Sequence, residues 1–433
     1  MKNTVTRDYT ASEDLLARAL RVIPLGAQTF SKSLTQYPRG AAPFFATHAK
    51  GSRTWDVDGN EYIDFNSALC AVTLGHCDPD INAAVAAQLE KGTIFTISNE
   101  IEIEVAEKLV ELVPCAEMVR FGKNGSDTTS GAIRAARAFT GRDRVAVCGY
   151  HGWQDWYIGS TARNKGVPKA TRDLTHPFQY NDLASLRAAL EAHPGEFAAV
   201  ILEPMNTTWP VEGFLQGVVD LAREHGAISV FDETITGFRF AKGGAQELFG
   251  VTPDLACFGK GLANGYPLSA VVGRADVMAE FEHVFFSFTM GGEMLSLAAA
   301  KAAMAKLERE NVPAALERQG TRLIDGVKAL IDKHRCGDFL GIVGHPSWTF
   351  LTIAELPDAK GFELKTLFLQ EVLARGILMV GTHVISFAHS DADIDALLAV
   401  YDEVFPILRD ARADGNAVER LRCEPLQPLF KVR

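Results

Sequence analysis

Short apolar runs alternate with amphipathic segments over most of this chain. The apolar runs have the length and continuity of buried strands, and they lie at Leu255–Phe258, Arg144–Cys148, 117–121 and 227–232. The segments that separate such runs have the period of surface helices, and they cover residues 79–91, 100–113, 127–139, 182–192 and 214–225. This alternation predicts an α/β fold with a mostly parallel central sheet covered by helices on both faces.

The N-terminal part of the chain follows a different pattern. Residues 12–23 predict a helix, with Ser12 as its N-cap. Residues 54–65 predict a β-hairpin around the turn Asp58-Gly59-Asn60. Neither segment continues the strand–helix alternation, so both are expected to lie beside the main sheet.

The pattern changes again after a predicted helix at 293–307. A helix, short strands at Trp348–Ile353 and 384–388, and a final helix then follow, which suits a smaller α+β domain. The chain is therefore expected to divide into three parts: an N-terminal segment at 1–53 that packs with the small domain and the active site, a large domain at 54–308, and a small C-terminal domain at 309–433.

Five chemically distinctive residues come directly after predicted strands. They are Ser126, Tyr150, Glu203, Asp232 and Lys260. In an open α/β sheet the carboxyl ends of parallel strands meet at one edge, and ligands bind there. We therefore expect these five side chains to line one site.

Lys260 follows the apolar run Leu255–Phe258 and has Gly259 and Gly261 on either side. The two glycines allow a planar group to approach the backbone. A lysine amine acts as a nucleophile at neutral pH only where burial or a neighbouring cation lowers its pKa, and a strand end in a pocket provides such a place. Lys260 is thus a candidate Schiff-base lysine. For a lone lysine, a solvated position in a surface loop is several times more common.

Asp232 ends the apolar run that begins at Ala227. An enzyme that uses pyridoxal 5'-phosphate (PLP) needs a carboxylate against the pyridine nitrogen, because the protonated ring is the electron sink for a carbanion. Asp232 is placed to supply that carboxylate. Taken alone, the motif fits a strand or turn cap equally well.

A phosphate site is predicted at Asn124-Gly125-Ser126-Asp127, which follows one strand and begins a helix. Backbone N–H groups at a helix N-terminus bind anions. Tyr150, after the next strand, offers an aromatic face for a cofactor ring, although an ordinary core tyrosine would show the same pattern.

Motifs of other enzyme chemistries are incomplete. Gly259-Lys260 is followed by Gly261, so it lacks the hydroxyl of a P-loop, and Asn264 stands where a dinucleotide fingerprint needs its third glycine. The histidines form no H-E-x-x-H pair, and the sequence predicts no metal site.

In order and spacing, these motifs resemble those of class III, fold-type I PLP-dependent aminotransferases, and within that class those of glutamate-1-semialdehyde 2,1-aminomutase-like proteins. The resemblance covers residues 22–400 and is sharpest at 54–64, 118–121, 124–126, 138–142, 150–152, 201–204, the Asp232 run and the Lys260 run. It implies a large PLP-binding domain at 54–308.

The resemblance also implies roles for individual residues. Lys260 would form the aldimine with PLP, and Asp232 would face the pyridine nitrogen. The other cofactor contacts would be Gly125 and Ser126 at the phosphate, Tyr150 against the ring, and Glu203. Thr289 would reach the phosphate from the partner subunit, which implies a homodimer.

Three departures from the aminomutase pattern weaken that reading. Gly381 stands where an active-site glutamate is expected, Met290-Gly-Gly-Glu-Met294 replaces the usual Ser-Gly-Asn-Pro after Thr289, and the gating segment at 153–179 is shorter. The arginine that many class III aminotransferases use for an α-carboxylate is also missing. Candidate substrate residues are therefore Arg39, Arg239 and His383; for each arginine a surface or structural ion pair is at least as common an explanation.

Composition restricts the partners. The chain has 433 residues, 47% of them hydrophobic, and a formal net charge of −11. This charge argues against nucleic acid or an anionic membrane as a partner. The seven cysteines are scattered, which is typical of reduced thiols, and no signal peptide or membrane-spanning run is visible, so a cytoplasmic location is expected.

The expected reaction is a transamination in two half-reactions. Lys260 would move a proton between the substrate carbon and the cofactor, while Asp232 keeps the ring protonated. The partners would be a small-molecule amino donor and a carbonyl acceptor. An aminomutase or an amino acid racemase with the same lysine is the main alternative, and a non-catalytic PLP-fold binding module is a weaker one.

Overall fold

The computed structural model describes residues 6–427, which form two compact units. Residues 6–78 and 315–427 form one of them, the terminal unit. Residues 79–314 form the other, the central unit. The sequence instead predicts that the large domain begins at residue 54. The pairing of strands within the terminal unit explains why residues 54–78 belong there.

The strands are β1 Ala46–Lys50, β2 Arg53–Asp56, β3 Glu61–Asp64, β4 Met118–Gly122, β5 Arg144–Cys148, β6 Thr175–Pro177, β7 Phe197–Leu202, β8 Ile228–Asp232, β9 Leu255–Phe258, β10 Ser269–Gly273, β11 Leu340–His345, β12 Trp348–Ile353, β13 Ile377–Leu378 and β14 Thr382–Val384. Three predicted strands, those at β5, β9 and β12, have the observed bounds. The strand predicted at 384–388 instead ends at Val384.

The helices are α1 Thr10–Ala19, α2 Ser67–Cys70, α3 Pro79–Leu89, α4 Glu100–Leu112, α5 Gly125–Thr140, α6 Asp155–Ile158, α7 Lys169–Arg172, α8 Leu183–Glu191, α9 Phe214–Glu224, α10 Ala245–Phe249, α11 Ala275–Met278, α12 Met294–Arg309, α13 Val312–Lys333, α14 Glu363–Ala374 and α15 Asp391–Asp414. All five helices predicted between 79 and 225 are present. Among the described residues, every helix is too short or too polar to cross a membrane.

The central unit contains a seven-stranded sheet in the order β4-β10-β9-β8-β7-β5-β6. Strands β9, β8, β7, β5 and β6 pair in parallel, and β10 pairs antiparallel with both β4 and β9. Every residue of β7, β8, β9 and β10 is buried, which explains their continuous apolar sequences. The prediction of a mostly parallel α/β sheet is confirmed.

The terminal unit contains two smaller sheets. Strands β1, β2 and β3 pair antiparallel and form the predicted hairpin, and β13 joins β3 in parallel. Strands β11, β12 and β14 form the second sheet. The pairing of β3 with β13 explains why residues 54–78 belong to the terminal unit.

Helix α1 begins before the predicted N-cap. Ser12 lies inside the helix, is buried, and accepts a hydrogen bond from Phe44 N (2.8 Å), so the prediction that it caps the helix is wrong. The Asp58 carboxylate instead accepts hydrogen bonds from Ala11 N (2.6 Å) and Ser12 N (3.0 Å). A carboxylate distant in sequence therefore satisfies the free N–H groups of the first turn.

Helix α2 is a left-handed turn rather than an ordinary helix. Its four residues have φ of 43° at Ser67, 50° at Ala68, 60° at Leu69 and 70° at Cys70. The Asp64 carboxylate holds its start by accepting hydrogen bonds from Asn66 N (2.9 Å) and Ser67 N (3.0 Å). Because this backbone costs roughly 1–2 kcal/mol per residue, such contacts are needed to maintain it.

Candidate active site

A cavity of about 180 Å³ lies at the carboxyl ends of β5, β7, β8 and β9 in the central unit. Its lining residues are Asn124, Gly125, Ser126, Tyr150, His151, Gly152, Trp153, Glu203, Asp232, Thr234, Ile235 and Lys260. The structure thus brings together all five residues that the strand-end pattern selected. Two larger cavities in the same unit, of about 770 and 560 Å³, contain neither Asp232 nor Lys260.

Helix α5 presents its N-terminus to this cavity. The Asp127 carboxylate accepts hydrogen bonds from Asn124 N (2.8 Å) and Lys123 N (3.1 Å), so it caps the turn. The N–H groups of Gly125 and Ser126, in the first turn, have no partner within the helix and suit an anion.

Two glycines allow the loops around this turn to approach closely. A Cβ at Gly125 would lie 3.0 Å from the Thr234 side chain, and one at Gly152 would lie 2.5 Å from the Ser126 Cβ. Gly152 also has φ of +104°, which larger residues rarely adopt. The space for a phosphate therefore depends on both glycines.

Asp232 is buried and hydrogen-bonded through both carboxylate oxygens. Its Oδ1 accepts a hydrogen bond from Thr234 N (3.1 Å), and its Oδ2 lies 2.9 Å from His151 Nδ1. His151 is itself buried, with Nε2 3.2 Å from the Cys148 carbonyl oxygen. The only signal for His151 in the sequence is its position beside Tyr150 in the segment 150–152.

Lys260 begins a short 3₁₀ helix, Lys260–Ala263, immediately after β9. Its φ of +45° is left-handed, which turns the chain sharply as it leaves the sheet. Leu262 and Ala263 are buried and anchor the turn. The lysine is thereby held at the cavity by a strained backbone, as is common at functional sites.

Tyr150 and Trp153 form an aromatic wall of the cavity. They are 38% and 66% exposed, so each keeps an open face. Glu203 Oε2 accepts hydrogen bonds from Tyr150 N (2.9 Å) and Asn206 Nδ2 (3.1 Å). Glu203 lines the cavity as predicted. Its Oε2 atom is used to hold the loop that carries Tyr150.

Thr234 and Ile235 complete the cavity beside Asp232. The Thr234 hydroxyl is buried and has no hydrogen-bond partner among the residues described. Such a group is stable only when a ligand or water completes it. An anion cradle, an acid, an amine, an aromatic wall and this unsatisfied hydroxyl together fit PLP, which has a phosphate, a ring nitrogen, a carbonyl carbon and a planar ring.

Four other predicted residues, Thr289, Arg239, Arg39 and His383, lie outside this lining. Thr289 is exposed, as a residue that acts in a partner subunit would be, and its role stays a prediction. Arg239 is buried in the central unit and is not among the residues that line the cavity, and its role stays a prediction. Arg39 pairs with Glu13 through Nε and Oε2 (2.8 Å), which matches the alternative of a surface ion pair.

His383 is fully buried in the terminal unit. Its Nδ1 lies 2.9 Å from the Thr349 hydroxyl and its Nε2 lies 2.7 Å from the Tyr401 hydroxyl. Burial lowers the pKa of His383 to about 3, so the ring is neutral. These contacts explain the residue as part of the core and do not support a substrate role.

Comparisons with known proteins agree with this chemistry. A model of the family "Aminotransferase class-III" matches residues 36–400. The chain is 34% identical over 393 residues to 3-aminobutyryl-CoA aminotransferase of Cloacimonas acidaminovorans, which covers 88% of this chain and 94% of that protein. It is 35% identical over 428 residues to glutamate-1-semialdehyde 2,1-aminomutase of Syntrophobacter fumaroxidans, which covers 93% of this chain and 98% of that protein.

Solved structures agree as well. The FumI protein of Sphingopyxis sp. MTA144, in its PLP internal aldimine form, superposes with a TM-score of 0.87 and 30% sequence identity. The match covers 96% of this chain and 99% of that one. The fold-type I architecture predicted from the sequence is thereby confirmed.

Proposed function

Because this chain belongs to the class III aminotransferase family, we propose that it transfers an amino group from a separate amino acid donor to a separate carbonyl acceptor, with PLP as its cofactor. The observation that carries this proposal is the single cavity lined by Lys260, Asp232 and the N-terminus of α5. No other described cavity combines an amine, a carboxylate and an anion cradle.

Each of these groups has a distinct task. PLP, when bound, supplies the electron sink for a substrate carbanion. The backbone N–H groups of Gly125 and Ser126 would hold the phosphate, and the Asp232 carboxylate would keep the proton on the ring nitrogen. The Lys260 amine would take a proton from the substrate carbon as a general base and would deliver it to the cofactor's carbonyl carbon as a general acid.

An aminomutase is the second candidate, since one relative of similar identity has that name. Such an enzyme must hold one small charged molecule while the amino group moves between adjacent carbons. Gly381, where the aminomutase resemblance leads us to expect a glutamate, has φ of +96°, a conformation that disfavours any residue with a side chain. The backbone conformation at Gly381 therefore favours a site without this glutamate, which supports a reaction between separate donor and acceptor molecules.

The experiment converts purified enzyme to its pyridoxamine form with a panel of amino donors. The panel contains glutamate, alanine and β-amino acids, because one relative is named for a β-amino thioester. Keto acids, keto sugars and aldehydes are then screened for return of the original absorbance. We expect stoichiometric keto product from the donor and amine product from the acceptor.

Glutamate-1-semialdehyde is the decisive control substrate. Efficient conversion to 5-aminolevulinate, with no consumption of a separate donor, would replace the proposal with the aminomutase reading. Loss of optical activity from an amino acid without keto product would indicate a racemase instead.

We also propose that two copies of this chain assemble through the face formed by α4, β4 and residues 285–292. This face contains the 770 Å³ cavity and an unusual density of exposed apolar side chains. These are Ile103, Val110, Met118, Phe285, Phe288 and Met290, between 38% and 80% exposed. Exposed apolar patches of this kind mark interfaces, and β4 is an edge strand of its sheet.

Light scattering tests this assembly with two matched variants. Val110 and Leu248 are both 40% exposed, but only Val110 lies on this face. Val110→Glu is expected to dissociate the dimer, and Leu248→Glu to leave it intact. A monomeric wild-type protein that retains its cofactor would refute the proposal.

The predicted reach of Thr289 to the partner's cofactor has its own test. Removing a hydroxyl from a phosphate site is expected to weaken cofactor binding by about 1–3 kcal/mol. Thr289→Val should therefore lose PLP on dialysis while remaining dimeric. Unchanged retention would remove Thr289 from the cofactor site.

A reducing compartment is proposed for the protein. All seven cysteines are unpaired in the described part of the chain, and four of them are buried. Thiols left unpaired in this way are typical of cytoplasmic proteins. Fractionation of cells that express the protein at its native level would test the proposed location.

A further inference from the structure

The 560 Å³ cavity lies beside the cavity of Lys260 at the same edge of the seven-stranded sheet. It is found at the carboxyl ends of β6, β5 and β7, and the smaller cavity shares β5 and β7 with it. Glu203 lines both cavities, and the chain passes from the larger to the smaller one between Gly149 and Tyr150. The rest of a substrate whose reacting carbon faces Lys260 therefore has this neighbouring cavity to occupy.

Aromatic side chains held in fixed positions form walls of this larger cavity. The Tyr157 hydroxyl donates a hydrogen bond to the Gly149 carbonyl oxygen (2.8 Å), and the Tyr180 hydroxyl donates one to the Pro204 carbonyl oxygen (2.7 Å). Phe178, which is also in the lining, is buried. Pockets for small molecules measure roughly 300–1,000 Å³ and are largely preformed, so this cavity has the size and the fixed walls of a ligand site.

Neutral hydrogen-bonding side chains make up much of the remaining lining. They are Ser160, Thr161, Gln179, Asn206, Thr207 and Thr208. Hydroxyl and amide groups both donate and accept hydrogen bonds, which suits a ligand that carries several hydroxyl groups. The aromatic faces add apolar surface for the C–H groups of such a ligand.

The charged groups of this cavity are of one sign. Glu203 is its only charged side chain, and none of the described residues that line it is a lysine, arginine or histidine. Burial and the nearby Glu203 raise the pKa of the Cys148 thiol to about 12, so the thiol is neutral at physiological pH. Arg163 and Lys165 follow Ala162 in the chain but do not line the cavity. A carboxylate or phosphate group of a ligand would therefore meet a like charge here, without a cation to balance it.

We propose that this cavity binds the body of a neutral, polyhydroxylated carbonyl acceptor, such as a keto sugar, whose reacting carbon lies at Lys260. The inference rests on the proposed aminotransferase function and names the chemical class of its acceptor. Hydroxyl groups of the acceptor pair with the hydroxyl and amide lining, and its carbon skeleton packs on the aromatic walls. Acceptors with a carboxylate or phosphate in this part of the molecule are disfavoured, because Glu203 repels them.

Four adducts of reduced PLP test the inference by equilibrium binding to the cofactor-free protein. Each adduct joins the cofactor through a C–N single bond to an unbranched six-carbon amine. The amines are glucamine, which is a neutral polyol, hexylamine, 6-aminohexanoate and 1,6-diaminohexane. Because the four adducts share the cofactor part and the chain length, the differences between their dissociation constants report how the cavity receives the chain. Calorimetry measures these constants without any turnover.

The glucamine adduct is expected to bind at least about 5-fold more tightly than the hexylamine adduct, because its hydroxyl groups pair with the polar lining. It should bind at least about 10-fold more tightly than the 6-aminohexanoate adduct, whose carboxylate meets Glu203. Tightest binding by the 6-aminohexanoate or the 1,6-diaminohexane adduct, or equal binding by all four, would show that the inference is wrong.

Thr208→Arg places a cation in the lining. Thr208 is exposed, so an arginine fits there without displacing the core. The variant should lower the preference for the glucamine adduct over the 6-aminohexanoate adduct by about 10-fold or more, because the arginine pairs with the carboxylate. Gln216→Arg is the matched control, since it adds the same charge at an exposed residue of α9 that lines none of the three cavities. It should leave the preference unchanged.

The outcomes distinguish this inference from the proposed function. If wild-type protein binds PLP and the adducts but Thr208→Arg has the same preference as wild type and Gln216→Arg, the chain of the adduct lies outside this cavity and the inference fails alone. If wild-type protein binds neither PLP nor any adduct, the proposed PLP function itself is wrong, and the inference fails with it.

Discussion

The carboxylate of Glu203 accepts a hydrogen bond from the backbone N–H of Tyr150, with 2.9 Å between Oε2 and N. The two residues follow adjacent parallel strands, β7 and β5, so this bond ties the loops at the two strand ends together. A Cβ at Gly149 would lie 2.6 Å from the same oxygen. Glu203 thus positions the aromatic wall of the cavity.

Glu203→Ala is expected to loosen Tyr150 without removing the reacting groups. The partly buried N–H of Tyr150 would lose its acceptor, at a cost of about 1–3 kcal/mol. The dissociation constant of PLP should rise roughly 5- to 100-fold, and Lys260 should still react with the cofactor. Complete loss of that reaction at saturating PLP would show that Glu203 acts in the chemistry itself.

Thr234→Val separates cofactor binding from folding. The Thr234 hydroxyl is buried with no protein partner among the described residues, so valine removes no hydrogen bond from the cofactor-free protein. The thermal midpoint of that form should be unchanged or slightly raised. PLP should bind about 5- to 30-fold more weakly, as measured by dialysis, if the hydroxyl contacts the cofactor.

The role of Gly152 is tested against a second glycine. Gly152 and Gly166 both have positive φ, +104° and +92°, but a Cβ at Gly166 would meet nothing within 4 Å, whereas one at Gly152 would strike Ser126. Each alanine variant should lose about 1 kcal/mol of stability from backbone strain, and Gly152→Ala should lose more because its Cβ collides with Ser126. Only Gly152→Ala should also weaken PLP binding, by at least about 10-fold. Equal binding by the two variants would argue that Ser126 does not position the phosphate.

His383 predicts a pH dependence of stability. Its pKa of about 3 in the folded protein lies below the value of 6.5 expected when it is unfolded. As the pH falls below 6.5, the unfolded chain binds a proton that the folded protein excludes, so stability present at neutral pH is lost progressively toward pH 3. By pH 5 this loss reaches about 2 kcal/mol.

His383→Gln removes this titration while keeping a polar side chain. Urea unfolding at pH 7.5 and pH 5 should show a smaller loss in the variant, by about 2 kcal/mol. A residual loss remains because burial also lowers the pKa of His389, to about 4. Parallel pH profiles for the two proteins would contradict a neutral His383.

The sequence predicted the parts of the fold that depend on local composition. The bounds of β5, β9 and β12 are correct because each is a run of residues with strong strand preference and flanking turn signals. The strand-end residues at the cavity followed from the rule that parallel strands share one ligand-binding edge.

Features that depend on distant contacts were missed. Asp58, which is remote in sequence, satisfies the N–H groups of Ala11 and Ser12 in the first turn of α1, whereas local rules selected Ser12 as the cap. The pairing of β3 with β13 moved the domain boundary, and no local pattern indicates it. His151 and Asp232 are 81 residues apart, and their contact depends on how β5 and β8 are ordered in the sheet.

Identification of the lysine that reacts with PLP tests the central claim most directly. Wild-type protein loaded with PLP is reduced with borohydride, digested, and mapped by mass spectrometry. We expect one modified peptide, with the label on Lys260, and no label in Lys260→Ala protein that is otherwise folded. A label on another lysine, such as Lys123 beside the cradle, whose side chain is 15% exposed, or a label that persists in Lys260→Ala, would show that Lys260 is not the reacting lysine.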